Sequence, residues 1–318
     1  MIFARSHITK TWTLAGYFFT TLWLWVVLLF VFGYNSDTPW VIVLLLILVL
    51  LSVVYMFLAP AINRRRLKRR VERLLTFAAA HQLRHADARE AVQFRDSLGA
   101  VDQLHNAREP QIANLLVGND WEYADFTYNV YGKHKYGEYL QAIVHYGVMS
   151  TKLPRRLPNV FFDSKKARGR QFRFHFSKSQ QHRLEGDFSK FFVTYFPTGY
   201  TIDSMSFISP DVMWVMRDAA DYDIEIYGDR VFLYGPLYDP EKQLPDMAAK
   251  IARIKKELLD NILTYRDQRL PYDQGRKLVA GAGISLRLSN FWKIVSIVVL
   301  LGILLLQIVV GVLSKSSN

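Results

Sequence analysis

The chain has 318 residues, of which 51% are hydrophobic and 14% aromatic, and it contains no cysteine. This composition is too apolar for a disordered chain, and the absence of cysteine excludes a disulfide framework, thiolate zinc sites, iron–sulfur clusters and cysteine nucleophiles. Forty Lys and Arg residues against 28 Asp and Glu residues give a formal net charge of +12. Because the apolar residues concentrate in a few uncharged runs, the composition predicts a membrane protein with a folded soluble part.

Three uncharged runs are each about as long as the ~20 residues that cross a bilayer as a helix. The first covers residues 12–33 and the second residues 40–59, with the polar turn 35–39 between them. They predict a transmembrane hairpin, and an uncleaved one, because the apolar region of a signal peptide spans only ~7–15 residues. The third run, residues 294–313, predicts one C-terminal transmembrane helix.

Basic residues beside these runs predict the orientation. They cluster directly after the second run, whereas the turn of the first hairpin has no Lys or Arg. Arg287 and Lys293 likewise precede the third run, and only Lys315 follows it. Since short loops rich in Lys and Arg stay on the inner side, we expect a bacterial inner-membrane protein whose N-terminus and residues 60–290 are cytoplasmic.

The segment 64–73 carries most of this positive charge. Its seven basic residues and one glutamate sum to 7 − 1 = +6, whereas residues 60–290 as a whole sum to 36 − 27 = +9. The segment is typical of a stop-transfer anchor, and it also favours contact with anionic lipid headgroups at ~1 kcal/mol per basic residue. The rest of the soluble part is nearly neutral, which argues against a nucleic-acid partner. The predicted lipid contacts are Arg64, Arg65, Arg66, Lys68, Arg69, Arg70 and Arg73.

Hydrophobic spacing predicts an α+β fold with an antiparallel sheet in residues 121–265, preceded by a basic helix and a connecting region over 60–120. Ser209 and Pro210 indicate the start of a helix, and the repeat from Met247 to Tyr265 predicts a long amphipathic helix. Residues 266–318 are then a linker and the last transmembrane helix. The expected strands are a hairpin of 121–133 with 138–149, then 160–162, 171–176, 192–196 and 201–207, and a second hairpin of 223–227 with 230–234 around Gly228 and Asp229.

Three features of the domain occur in a familiar order. They are the segment LEGDFSKFFV at 184–193, the Ser209-Pro210 helix start, and the Tyr227-Gly228-Asp229-Arg230 turn followed by Phe232-Leu233-Tyr234. In these features, over about 114–236, the chain resembles an uncharacterised bacterial membrane-protein family catalogued as domain of unknown function 3137. The resemblance implies an N-terminal hydrophobic pair followed by a cytoplasmic α+β domain. It implies no activity and no site residue, and the C-terminal span departs from the family pattern.

Two histidine groups are candidate sites. His81 and His85 have the i, i+4 spacing of zinc hydrolases, but Gln82 stands where the catalytic glutamate would be, so two polar residues at a helix end are the favoured interpretation. The segment from His175 to Asp187, with His182 and Glu185, combines groups that can act as acids, bases or metal ligands. The same residue types are also typical of a solvated turn.

Three other motifs have a structural interpretation. Asp221-Tyr222-Asp223 before a strand is more typical of a turn than of a magnesium site. Gly281-Ala282-Gly283 lacks the preceding strand that a phosphate loop needs. The alternating Phe172, Phe174 and Phe176 favour the core face of a sheet over base stacking.

Taken together, the sequence predicts a non-enzymatic binding or scaffolding module held at the inner membrane, with no cofactor and no metal. Its expected partners are membrane lipids, and a protein partner or second copy docked on the amphipathic helices at 67–78 and 247–262. The alternative is a membrane-bound hydrolase of a lipid or envelope precursor, with its site between His175 and Asp187.

Overall fold

We analysed a computed structural model of the chain. It describes residues 8–9, 39–99, 107–134, 137–167 and 176–287. The predicted spans 12–33 and 294–313 lie outside these residues, as do Phe172, Phe174 and His175.

One long helix, α1, extends from Pro39 to Ala80. It contains both the apolar run 40–59 and the basic segment 64–73, so these two features share one continuous element of 42 residues. The repeat of Leu74 and Ala78 predicts a buried stripe at its end, and both side chains are fully buried. Counting only side chains that the structure describes, no helix is long and apolar enough to cross a membrane. Most side chains of residues 40–64 lie outside that set.

Eight antiparallel strands form one sheet within the described residues. The predicted α+β class with an antiparallel sheet is therefore confirmed. The strands are β1 (Ile8–Thr9), β2 (Arg84–His85), β3 (Ala107–Val117), β4 (Glu122–His134), β5 (Gly137–Ser164), β6 (Gln181–His182), β7 (Phe192–Tyr195) and β8 (Asp223–Gly235).

Strand β5 organises this sheet. Its first half pairs with β4, as in Phe126 opposite Tyr146, which confirms the first predicted hairpin. Its last four residues, 161–164, pair with β7, and β8 lies along its other edge from Gly147 to Phe162. The 28-residue length of β5 lets one strand connect the two ends of the sheet.

The remaining helices pack mainly beside the sheet. Ser209 accepts a hydrogen bond from the Val212 amide and caps α5, as the Ser209-Pro210 pair predicts. Helix α2 begins with a capping box of Asp87 and Glu90. The helices are α2 (Ala88–Asp96), α3 (Phe188–Phe191), α4 (Thr201–Phe207), α5 (Pro210–Asp218), α6 (Pro240–Ile262), α7 (Tyr272–Gly275) and α8 (Gly281–Ile284).

Both faces of the sheet are covered. On one face, α1, α5 and α6 bury a large core that includes Ile254 and Leu258, both with no exposed surface. On the other face, a second core includes Phe94 of α2 and Phe126 of β4. The predicted outward side of α6 is confirmed at Lys256 and Asp260, which are exposed, while Lys255 is half-buried.

Two predicted elements are wrong. Residues 201–207 form helix α4 instead of a strand. Ser204 and Phe207 are buried one turn apart, and Ile202 is exposed. The alternation of apolar residues in this short segment therefore does not reflect a strand. The second hairpin is the single strand β8, which pairs with β5 along its whole length and absorbs a register shift near Gly228. Gly228 does have the positive φ of +59° that a tight turn would need, but it lies inside β8, opposite a bulge in which Lys152–Leu157 of β5 face only Gly228–Arg230.

Strand β3 was not predicted at all, because two register shifts interrupt its pairing with β4. Pro110 lies at the first shift and Asn114, with a φ of +53°, at the second. The expected linker after 265 is also packed: Val279 and Leu286 are buried, and the backbone of Arg287 is hydrogen-bonded to Gln180.

Candidate functional site

The basic segment of α1 presents two different faces. Four arginines, Arg66, Arg69, Arg70 and Arg73, have the spacing i, i+3, i+4 and i+7, which places them along one side of a helix. Arg65 and Lys68 lie outside this set of four and are exposed. The side chain of Arg64 lies outside the described residues.

Arg70 is buried, with 5% of its side chain exposed. Its Nη1 donates to Asp125 Oδ2 at 2.7 Å and its Nη2 to the Tyr123 hydroxyl at 2.6 Å. Its Nε donates to the backbone oxygen of Tyr238 at 3.0 Å. The prediction that Arg70 contacts lipid is therefore wrong, because this side chain connects α1 to the sheet.

The partners of Arg70 are themselves held in place. Asp125 Oδ2 accepts a second hydrogen bond from Asn114 Nδ2 at 2.9 Å, and Asp125 Oδ1 accepts one from Tyr123 at 3.1 Å. Burial lowers the pKa of Arg70, but the nearby Tyr123 and Asp125 outweigh burial, and the net pKa is raised. Arg70 is therefore a permanent cation, and Asp125 compensates its charge.

Beside this buried pair lies an open cleft of about 300 Å³ between α1 and the loop that precedes α6. Hydrogen bonds of Gln243 to the backbone of Pro236 and Tyr238, at 2.6 and 3.0 Å, hold that loop. The cleft is lined by Arg66, Arg69, Arg70, Arg73, Leu237, Tyr238, Asp239 and Pro240.

The charges in this cleft do not cancel. Arg70 is compensated by Asp125, and Arg73 Nη1 forms an ion pair with Asp239 Oδ2 at 3.1 Å. By formal charge, the lining cations other than Arg70, which are Arg66, Arg69 and Arg73, exceed the lining carboxylate of Asp239 by 3 − 1 = +2. Arg69 is exposed and has no ion pair within the described residues. An excess of guanidinium groups around a concave surface is suited to an anion with several oxygen acceptors.

A larger cleft, of about 790 Å³, lies at the other end of α6. It also contains arginine, but Arg269 Nη2 pairs with Asp203 Oδ2 at 3.0 Å and Arg269 Nη1 with Asp267 Oδ1 at 3.3 Å. Asp267 is fully buried and also accepts from the Tyr200 hydroxyl and the Ala280 amide, at 2.7 and 2.8 Å. These hydrogen bonds tie the segment after α6 to the domain.

The predicted histidine sites do not assemble. Helix α1 ends at Ala80, and Gln82 has a φ of +51°, so His81 and His85 do not share a helical face. His81 instead stacks on Phe77 with ring centroids 4.0 Å apart, and His85 lies in β2. Within the residues that the structure describes, no group of three or more His, Asp or Glu side chains is arranged for a metal ion.

The described residues of the segment 175–187 contact different neighbours. His182 stacks on Phe196 and contacts the Thr201 hydroxyl at 3.3 Å, and burial lowers its pKa. Asp187 faces Arg217 at 3.5 Å, and Glu185 is exposed. His175 lies outside the described residues.

The other motifs have structural environments. Asp221 pairs with Lys166 at 2.7 Å, and the Tyr222 hydroxyl donates to Asp246. Gly283 faces the Tyr200 ring at a distance that leaves no room for a Cβ. Phe176 is buried in the second core, which agrees with the core interpretation for the one phenylalanine of the stripe that is described.

Comparisons with known proteins add little to this geometry. No family model matches the chain, so the resemblance to domain of unknown function 3137 stays a prediction. No curated protein matches it either. Among solved structures, the crystal structure of the mycobacterial trehalose monomycolate transport factor A, TtfA, is similar over 63% of this chain and 96% of its own, with a TM-score of 0.38 and 10% identity. That similarity is too weak to support an argument about function.

Sequence reasoning missed the residues that complete the cleft. The arginine spacing in α1 was a usable signal, because i, i+3, i+4, i+7 defines one face. Nothing in the sequence pairs Arg70 with Asp125, 55 residues away, or brings Tyr238 beside them.

Proposed function

We propose that the protein is a membrane-anchored, non-enzymatic binding module whose α+β domain lies on the cytoplasmic face of a bacterial inner membrane. In this proposal residues 12–33 and 40–59 form the N-terminal hairpin and residues 294–313 the C-terminal span. The basic face of α1 then meets the anionic surface of the inner leaflet.

The observation that carries the proposal is the continuity of α1. A single helix contains the apolar run 40–59 and, about 11 residues later, the buried Arg70 contact with Asp125. Because Arg70 also binds the loop before α6, the domain is fixed to the helix instead of hanging from a flexible linker. The basic segment is thereby held directly beyond the apolar run.

Exposed apolar side chains along the first part of α1 also support the anchor. Five of them leave 42–63% of their surface uncovered within the described residues, which is costly in water but favourable against lipid. They are Ile47, Leu50, Val54, Leu58 and Ile62.

Two parts of the earlier expectation change under this proposal. The stripe of α6 and the end of the α1 stripe, Leu74 and Ala78, are buried inside one chain, whereas Leu67 at its start is exposed. A protein partner or second copy would therefore have to use a surface other than these buried residues. A hydrolase with its site at 175–187 has weaker support, because His182 does not line the small cleft that Glu185 and Asp187 share with Arg217. Lipid headgroups remain the best-supported partner.

The proposal is tested with reporter fusions to the full chain. Alkaline phosphatase joined at position 150 should be inactive and green fluorescent protein at the same position should fluoresce, because the domain is cytoplasmic. The chain should also stay in the membrane pellet after alkaline carbonate extraction. Active alkaline phosphatase at position 150, or release of the chain by carbonate, would contradict the proposal.

A further inference from the structure

The chain segment after α6 carries a second group of exposed basic side chains. Arg276 and Lys277 are exposed there, and neither forms an ion pair with any residue that the structure describes. Arg155, in the bulge of β5, lies beside them, because its Nη1 donates to the backbone oxygen of Arg276 at 2.9 Å. With the exposed Tyr272 and Leu278, these three cations form a surface that we call the Tyr272 patch.

Contacts within the chain hold this patch in one shape. The guanidinium groups of Arg266 and Arg276 lie over the Tyr272 ring, 4.7 and 5.8 Å from its centroid. The Asp267 amide donates to the backbone oxygen of Gly275 at 2.9 Å, and the close approach of these two backbones leaves no room for a Cβ at Gly275. The patch is therefore a defined surface of the domain and not a loose linker.

The formal charge of the patch is positive even when the neighbouring clefts are set aside. Arg266 and Arg269 belong to the cleft beside it, where aspartates balance them, so they are not counted. Arg156 shares another cleft with two aspartates and is not counted either. Asp273 is the one acidic residue among residues 268–287. The three cations of the patch against this carboxylate give 3 − 1 = +2.

Exposed apolar side chains lie among these charges. Tyr272 leaves 61% and Leu278 44% of its surface uncovered. Tyr, Leu, Arg and Lys on one surface are typical of contact with the headgroup layer of a bilayer, where the apolar parts enter the layer and the cations meet lipid phosphates. We infer that the Tyr272 patch binds the surface of a bilayer that contains anionic lipids, as a second contact apart from the basic face of α1.

The position of the patch in the chain favours a bilayer over another acidic partner, and this step rests on the proposed function. Arg287, the last described residue, stands seven residues before Ile294, where the predicted C-terminal span begins. Seven residues reach at most about 25 Å when fully extended. Because α1 holds the N-terminal end of α6 close to the other predicted spans, both ends of α6 are then tethered to one membrane surface.

The test uses the absence of cysteine from the chain, which allows a fluorophore to be placed on one introduced cysteine at a time. Leu278→Cys places it in the patch. Val92→Cys is the matched control, because Val92 is 45% exposed and lies on α2, which covers the opposite face of the sheet from the core that holds Val279. The labelled full chain is reconstituted in vesicles whose lipids carry a quencher on the headgroup, made of phosphatidylcholine with or without phosphatidylglycerol.

The lipid dependence of quenching is the expected signature of the contact. With phosphatidylglycerol present, the label at position 278 should be quenched at least about twofold more strongly than the label at position 92. Without phosphatidylglycerol, or in high salt, quenching at position 278 should fall toward the level at position 92, because both changes weaken the attraction between the cations and the lipid surface.

A pair of charge variants tests whether the cations of the patch cause this contact. Arg276→Gln, combined with the label at position 278, should lower the ratio of bound to free patch about fivefold. Arg89→Gln is the matched control, since Arg89 is an exposed arginine of α2 without an ion pair among the described residues, and it should change the ratio by less than about twofold. The melting temperatures of both variants should match that of the wild type, which shows that folding is intact.

Equal quenching at positions 278 and 92 would overturn the inference, and an acidic protein or a second copy of the chain as the true occupant would give that result. Quenching at position 278 that does not depend on phosphatidylglycerol, or equal effects of Arg276→Gln and Arg89→Gln, would overturn it as well. The proposed function fails separately, through an active alkaline phosphatase at position 150. A chain that is correctly inserted but shows no selective quenching at position 278 refutes the patch contact alone.

Discussion

The two ends of helix α6 both combine arginine and aspartate side chains, yet they differ in the charge that remains. At its N-terminal end the cations that line the cleft outnumber the carboxylate there, even after Arg70 is matched with Asp125. At its C-terminal end Arg266 and Arg269 line the cleft together with Asp203, and the buried Asp267 pairs with Arg269, so the sum over these four side chains is 2 − 2 = 0. The larger cleft is therefore the less suitable one for an anion.

The two ends of α6 also differ in which parts of the chain their ion pairs connect. Arg70 joins two distant elements, the helix that leaves the predicted membrane region and the sheet. Asp267 instead holds the chain segment that follows α6 against Tyr200 and Ala280. Similar residue types thus serve attachment at both ends, but the formal charge of the cleft side chains is positive only at the N-terminal end.

The largest effect is expected at the buried pair of the N-terminal end. Arg70→Met leaves Asp125 buried without its cation, and loss of one partner of a buried ion pair costs about 3–5 kcal/mol of unfolding free energy. Urea unfolding of the full chain in detergent measures this cost. Arg69→Gln, one residue away and exposed, is the control and should stay within about 0.5 kcal/mol. Similar stabilities for the two variants would mean that Arg70 does not fix α1 to the sheet.

At the C-terminal end, Asp267→Asn should destabilise the chain by about 1.5–3 kcal/mol at neutral pH, since a charged acceptor of several hydrogen bonds is lost. Burial raises the pKa of Asp267, but hydrogen bonds from Ala280, Tyr200 and Arg269 outweigh burial and hold the pKa below its ordinary value.

The sign of the pH dependence follows from that lowered pKa. The stabilisation by Asp267 is complete above the ordinary aspartate pKa of about 3.9 and is lost as pH falls through the lower value in the folded state. The difference in melting temperature between wild type and Asp267→Asn should therefore shrink below about pH 4. A difference that stayed constant from pH 7 to pH 3 would show that the charge of Asp267 contributes nothing.

A smaller effect is expected at Gly228 of β8, which lies opposite the bulge of β5 and belongs to neither end of α6. Gly228→Ala places a side chain on a residue with a φ of +59° and should cost about 1 kcal/mol. Gly281→Ala, where a Cβ would meet no neighbour and φ is not positive, should cost nothing measurable. Urea unfolding of the full chain in detergent measures both costs. Equal stabilities of the two variants would show that the positive φ at Gly228 places no demand on the residue.

Much of the fold was predictable where a pattern repeats over many residues. The apolar spacing of α6 placed Ile254 and Leu258 in the core, and the Ser209-Pro210 pair located the start of α5. Prediction failed where local geometry departs from a regular period. The bulges in β3 conceal a strand, and Gly228 of β8, opposite a bulge of β5, resembles a hairpin turn in sequence. The two-turn helix α4 is too short to show a helical period.

The candidate site was predictable only in part, for a physical reason. A basic segment beside an apolar run is visible in one sequence, and so is the spacing that puts four arginines on one face. Which of the four is buried depends on Asp125 and Tyr123, whose approach to α1 is set by tertiary packing. The role of Arg70 therefore cannot be read from residues 64–73 alone.

The most direct test of the central claim compares contact with lipid at the two ends of α6 in one experiment. The fluorophore is placed on Leu67→Cys, in α1 beside the N-terminal end, or on Leu278→Cys, beside the C-terminal end, each in the full chain in vesicles with phosphatidylglycerol and a headgroup quencher. Leu67 and Leu278 are 40% and 44% exposed, so the two labels are comparable. Since both ends of α6 meet the bilayer in this account, both labels should be quenched at least about twofold more than the label on Val92→Cys. Quenching at position 67 alone would mean that only α1 holds the domain at the membrane and would contradict this account.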